Sequence, residues 1–131
     1  MITAYFMNKI QDDIFVANYT KPTTYYLGIS STVPTVAGTN FTEPVGKGYA
    51  RVPLARGTDF VASVNGESKN KNMKDFPMST EDWGNMVWFG IFDSATSGNL
   101  LMANRLTKER NIQSDMKLLI DANGLSFTLG D

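Results

Sequence analysis

Met86-Val87-Trp88-Phe89-Gly90-Ile91-Phe92 is the stretch that decides the fold class. Side chains alternate across a strand, so Val87, Phe89 and Ile91 share one face while Met86, Trp88 and Phe92 share the other, with Gly90 between them. Both faces are apolar. A strand of this kind is either central and covered on both sides, or it keeps one face for a partner chain. The N-terminal helix predicted below is the natural cover. Trp88, Met86 and Phe92, joined by Tyr26 from an earlier strand, are the candidate interface residues, although aromatic residues of this kind also fill ordinary cores.

Strand punctuation continues on both sides of this stretch. Asp93 to Asn99 (DSATSGN) is a polar connection containing Gly98, and Leu100 to Leu106 reads as the returning strand of a hairpin. Upstream, Thr23 to Ser30 puts Tyr25, Leu27 and Ile29 on one face. Tyr49 to Arg56 puts Ala50, Val52 and Leu54 on one face, and Pro53 marks it as an edge or bulged strand because proline cannot donate to a ladder. Near the end, Lys117 to Ile120 and Leu125 to Leu129 flank Asp121-Ala122-Asn123-Gly124, whose Asn-Gly pair predicts a short hairpin. Asn65-Gly66-Glu67 reads only as a turn, and Ser79-Thr80-Glu81-Asp82-Trp83 as a capped helical turn.

The first segment has helical spacing instead. Ile2, Phe6, Ile10, Ile14 and Ala17 recur at intervals of three and four, Thr3 is placed to cap the start, and Pro22 enforces a stop. The prediction is an amphipathic helix over residues 3–17, either docked on the sheet or exposed as a plug into a larger assembly. With it goes a mainly β chain: one domain over residues 1–131, its residues 23–131 forming an antiparallel β-sandwich, jelly-roll or Ig-like, of about seven or eight strands.

Composition narrows the function. A chain of 131 residues with 42% hydrophobic and 19% charged residues has the balance of a globular domain rather than of disorder. Cysteine and histidine are both absent. Thiolate or imidazole metal ligation, disulfides, cysteine nucleophiles and Ser-His-Asp chemistry are therefore excluded. A two-carboxylate glycosidase is the catalytic option left, and it needs a cleft holding two acids within about 5–10 Å of each other. Asp12 and Asp13, adjacent on a helix, diverge, and Glu81 and Asp82 suit a first-turn role. No loop has the alternating acid pattern of a calcium site, and Gly46-Lys47-Gly48 lacks the rest of a phosphate loop. The expectation is no enzyme, no cofactor and no metal. A net charge of -1 gives no basis for nucleic-acid capture, and Lys69, Lys71 and Lys74 read as a solvated run. No signal peptide or membrane span is expected, which predicts a soluble protein made in a cytoplasm and no membrane insertion.

Ordered motifs then carry a resemblance. Thr24-Tyr25-Tyr26-Leu27-Gly28-Ile29-Ser30-Ser31-Thr32-Val33-Pro34-Thr35, Thr42-Glu43-Pro44 and Gly48-Tyr49-Ala50-Arg51-Val52 come first. Phe76-Pro77-Met78-Ser79-Thr80 with Trp83-Gly84, Gly90-Ile91-Phe92-Asp93 with Gly98-Asn99-Leu100-Leu101, and Ala122-Asn123-Gly124-Leu125 with Thr128-Leu129 follow. Taken together, this order resembles a family of small phage and prophage virion structural proteins, of tail-fibre, head-fibre or decoration type. Val45-Gly46-Lys47 and Pro53 depart from its pattern, which concerns loop shape and not membership. The resemblance implies a virion localisation after assembly in the host cytoplasm, other virion proteins as partners, and no catalytic residues. A homo-oligomer, a trimer for fibre-like use, is the expected state. The alternative is a carbohydrate-binding module for a host-surface glycan, with Tyr26 or Trp88 in a groove.

Overall fold

The computed structural model describes residues 1–129; the last two residues of the expected 23–131 sandwich lie outside them. Helix α1 spans Ala4–Phe15 and eight strands follow: β1 Thr24–Ser30, β2 Val52–Ala55, β3 Glu67–Lys69, β4 Lys74–Asp75, β5 Gly84–Phe92, β6 Leu100–Ile112, β7 Leu119–Ile120 and β8 Ser126–Thr128. A four-stranded antiparallel sheet in the order β2-β1-β5-β6 forms one layer, and the ribbons β3-β8 and β4-β7 form the other. The result is the expected β-sandwich with one N-terminal helix.

Its core is built from the alternation already visible in the chain. Leu27 and Ile29 of β1, Val52 and Leu54 of β2 and Phe89 and Ile91 of β5 meet Ile120 of β7 and Phe127 of β8 in one buried cluster. Burying each such side chain contributes roughly 1.5–3 kcal/mol. Pro53 sits opposite Tyr26 on β2, the edge strand, where its missing N–H disturbs no second ladder.

Two expectations are corrected by long-range contacts. Strands β7 and β8 flank the Asn123-Gly124 turn but do not pair with each other; β7 pairs with β4 and β8 with β3. The buried Asn70 amide separates them, its Nδ2 donating to Asp121 O at 3.0 Å and its Oδ1 accepting from Leu125 N at 2.8 Å. Asn65-Gly66 is a turn, as expected, and it closes a two-residue hairpin through the isolated bridge Val64↔Glu67. Residues 79–83 form no helical turn. Ser79 is buried and its hydroxyl accepts from Met116 N at 3.0 Å, while Asp82 Oδ1 accepts from Ser114 N at 2.8 Å. Those side chains hold the strand-to-strand connection after β6 instead of capping a helix.

The helix start matches its sequence signature, since Thr3 Oγ1 accepts from Phe6 N at 3.3 Å and Val16 closes the C-terminus. Just before it, residues 1–3 run along the outer edge of β6. Ile2 bridges Met102, and Thr3 N donates to Leu101 O at 3.0 Å. An otherwise open sheet edge is thereby covered. Only the first half of the expected stripe is packed: Ile2 is buried and Phe6 and Ile10 lean on the core, whereas Ile14 is exposed. Beyond the helix, Asp13 folds the exit back by accepting from Tyr19 N at 2.7 Å.

Ion pairing at Asp59 makes a pH prediction. Its Oδ2 accepts from Ala55 N at 2.7 Å and its Oδ1 lies 3.2 Å from Lys74 Nζ, and these, the backbone donor above all, hold the carboxyl below its ordinary value of 3.8. A depressed folded-state pKa contributes stability that is present above 3.8 and lost as pH falls through the lower, folded value. Asp59→Asn is therefore expected to be less stable at neutral pH and to lose less stability on acidification. Urea midpoints measured at descending pH test this; parallel acid limbs for the two proteins would refute it.

Candidate functional site

The sheet face opposite the core carries a second, smaller cluster. Phe92, Leu100 and Ala103 are buried there, with Met1, Tyr26, Phe41 and Trp88 packed against them. Helix α1 does not cover this face, contrary to expectation. The loop between β1 and β2 does. Ser30 Oγ accepts from Thr42 N at 2.9 Å and Ser31 N donates to Thr42 O at 3.1 Å, which lays Phe41 edge-on against Phe92 with ring centres 5.1 Å apart.

Two glycines in register permit the close approach. Gly28 and Gly90 are direct partners across β1 and β5. A Cβ on Gly90 would stand 2.7 Å from Phe41 and from Leu100, and one on Gly28 would stand 2.9 Å from Glu43 Oε2. The loop therefore lies on bare backbone.

Arg51 fastens it. The guanidinium makes a fork with Glu43, Nε to Oε2 at 2.9 Å and Nη2 to Oε1 at 2.8 Å. Its Nη1 donates at 2.8 Å to both Ser94 O and Ser97 O in the β5–β6 connection, and its plane covers Phe92 at 3.5 Å from the ring centre. A planar five-donor cation is suited to this combination of fork and stacking. Tyr49 completes the group, donating to Glu43 Oε2 and accepting from Ile29 N at 3.2 Å. Burial and the neighbouring carboxylate push its phenol far above the ordinary range, so it stays a neutral donor.

Above this group lies an open groove of about 750 Å³, bounded by the 41–51 loop and by Ala95, Thr96 and Ser97 of the hairpin tip. Its charged and phenolic groups are already committed to one another, so the arrangement is a clamp. Nothing in it forms an acid and base pair.

The four candidate interface residues separate. Tyr26, Trp88 and Phe92 share the loop-covered face, where Tyr26 stands opposite Phe92 and Trp88 opposite Ser30. Met86 does not join them: it is 1% exposed and lies in the main core with Phe89 and Ile91. The cause is an irregularity at Val87. Met86 pairs with Arg110 but Trp88 with Arg105, so two steps on β5 face five on β6 and the alternation changes sides. Phe92 is buried, leaving Trp88 and Tyr26 half-exposed. The Trp88 indole Nε1 is buried without a partner among the described residues, and Arg105 lies over the ring at 5.9 Å. Glu43, Arg51 and Phe41 were not singled out individually by sequence reasoning, although Glu43 and Arg51 lie in the quoted Thr42–Pro44 and Gly48–Val52 motifs.

Other quoted motifs also turn inward. Phe76 is fully buried and stacks on Tyr49 with centres 6.0 Å apart, and Trp83 Nε1 donates to Lys47 O at 2.9 Å. In the lysine run, Lys69 pairs with Glu67 at 3.5 Å and Lys74 with Asp59. Among the described residues, no group of three or more acids is gathered to hold a metal ion, and no helix is long and apolar enough to cross a membrane.

The apolar surface is concentrated elsewhere. At the C-terminal end of α1, Ile14, Phe15 and Val16 are 66%, 80% and 79% exposed. Consecutive exposed residues of this size are uncommon on a surface that meets only water.

No curated protein matches the chain. A family model does, over residues 1–128, a span that includes the Glu43–Arg51 clamp, the paired glycines and all of the motif residues quoted above except Leu129. The chain belongs to that family, described as podophage GP4 fiber I protein gp80, and is thus a phage fibre protein by family.

Proposed function

We propose that this chain is a fibre subunit of the phage virion that acts through protein–protein contacts, with other virion proteins and with copies of itself, and has no catalytic role. Family membership over residues 1–128 carries the reading. Two physical features support it. The polar groups that line the groove are spent on holding the loop down, and the exposed Ile14-Phe15-Val16 end of α1 offers an apolar contact to a neighbour.

Immunogold electron microscopy of intact phage, with antibody raised against the purified chain, tests the location. Discrete label on particles supports the proposal, and its position distinguishes tail from head. Unlabelled particles, with the protein present in infected cells, would refute it. Light scattering on the purified chain tests self-assembly, and a clean monomer at tens of micromolar would count against it.

The contact has its own test. Phe15→Glu removes nothing from the core, so folding stability is expected to change by no more than about 0.5 kcal/mol. Incorporation into virions is expected to fall about tenfold or more, equivalent to ~1.4 kcal/mol of lost contact energy. Normal incorporation of a normally folded variant would remove the helix end from the assembly interface.

A further inference from the structure

Two Asn-Gly pairs, Asn65-Gly66 and Asn123-Gly124, lie at exposed turns with the asparagine in the left-handed region, at φ 54° and 62°. They are chemically alike and structurally different. Gly124 N donates to Asp121 O at 2.9 Å, and Asn123 N donates to Asn70 O at 2.9 Å. The buried Asn70 side chain holds Asp121 and Leu125 on either side of that turn. A Cβ on Gly124 would stand 2.9 Å from Asp121 O, so the backbone there is confined as well as bonded.

At the other turn the constraints are absent. Gly66 N has no acceptor among the described residues, and nothing lies within 4 Å of its Cβ position. One backbone bridge closes the turn, Val64 N to Glu67 O at 3.1 Å and Glu67 N to Val64 O at 3.0 Å, beside an exposed Val64, and behind it stands one exposed hydroxyl pair, Ser63 Oγ with Ser68 Oγ at 2.8 Å. A tip held by one backbone bridge and one exposed hydroxyl pair opens at little cost in free energy.

We propose that Asn65 is a self-modification site, deamidating through its own backbone, and that Asn123 is protected by the fold. The Gly66 amide nitrogen gives up its proton to hydroxide and attacks Asn65 Cγ. A new N–C bond forms, the Cγ–Nδ2 bond breaks, and Nδ2 leaves as ammonia after taking a proton from water. Water then opens the five-membered imide at either carbonyl, yielding aspartate or isoaspartate. No oxidant or reductant is involved. Glycine at the second position favours the attack because it lacks a Cβ to crowd the ring.

The product alters a place where geometry is tight. Isoaspartate adds a methylene to the backbone of a two-residue turn, and register in such hairpins is set by the turn. The new carboxylate also lies near Glu67, which is hydrogen-bonded to Ser126 and thereby links β3 to β8. Ageing of the protein would thus act first on the β3–β8 ribbon.

The test is to age the full chain at neutral and mildly alkaline pH and map peptides by mass spectrometry that separates aspartate from isoaspartate. A parallel sample is aged in denaturing urea. In the folded protein, Asn65 is expected to convert about tenfold or more faster than Asn123, a ratio equivalent to ~1.4 kcal/mol of extra protection. In urea the two rates should converge, and conversion should rise with pH. Asn65→Ser should abolish the product at that site, with Tm lowered slightly because serine fits the left-handed backbone less well than asparagine. Equal conversion of the two sites in the folded protein would overturn the proposal, as would a ratio unchanged by urea.

Discussion

Arg51→Ala is expected to destabilise the chain by about 3 kcal/mol, the lower end of the range for removing one partner of a buried ion pair, because the Glu43 side chain stays 21% exposed. The Arg51 side chain is 7% exposed and holds three elements together: Glu43 in the covering loop, Ser94 and Ser97 in the β5–β6 connection, and the Phe92 ring. Truncation leaves the Glu43 carboxylate beside a buried phenol with its strongest partner gone. It also leaves two carbonyls without their donor. Arg51→Lys should recover only part of the loss, since an ammonium can neither fork onto the carboxylate nor stack flat on Phe92. Urea unfolding followed by tryptophan fluorescence measures both. The expected result is a lower midpoint at unchanged m. A loss for Arg51→Ala below about 1 kcal/mol would place the pair among ordinary surface ion pairs and end the clamp interpretation. A double-mutant cycle with Glu43→Gln would then separate their coupling from the contacts to the hairpin.

Phe76→Ala should cost about 3–5 kcal/mol through a different mechanism, the loss of buried ring and the cavity it leaves. Phe76 is fully buried, and Tyr49, on which it stacks, also meets Trp83 edge-on at 5.4 Å between ring centres. The cavity would therefore open beneath the same Tyr49 that donates to Glu43. Phe76→Leu, which keeps most of the volume, should cost less. Equilibrium unfolding and the tryptophan emission of the folded state both report it, Trp83 being part of the stack. If the alanine variant proves as stable as the leucine one, the site relaxes around the missing ring and the cavity argument fails.

Arg51 and Phe76 both lie within the quoted motifs, and both act through contacts inside the chain. Phe76, Ser79 and Trp83 tie the segment before β5 to the connection after β6 and to the 43–49 loop. Gly28, Gly90, Glu43, Tyr49 and Arg51 seat that loop on the sheet. In this chain the motif residues act through packing.

Local periodicity determined a good deal by itself. Strand β1 with Leu27 and Ile29 inward, the edge character of the Pro53 strand, the β5–β6 hairpin and a helix starting at Thr3 all depend on neighbours within a few residues. Steric and hydrogen-bonding rules act over that same range. The absence of cysteine and histidine likewise excluded whole classes of chemistry before any contact was known.

Tertiary structure decided what depends on residues far apart. Met86 changed faces because β6 takes five steps against two on β5 around Val87, a mismatch that no window on β5 contains. Asn123-Gly124 does not close a hairpin because Asn70, more than fifty positions earlier, holds the turn while β7 and β8 leave for different partners. The second sheet face is covered by the 41–51 loop and not the helix, because two glycines on separate strands fall in register and Arg51 finds acceptors more than forty residues away. Alternation states which residues share a face only while the ladder stays regular. Which element covers that face is set by the global pairing.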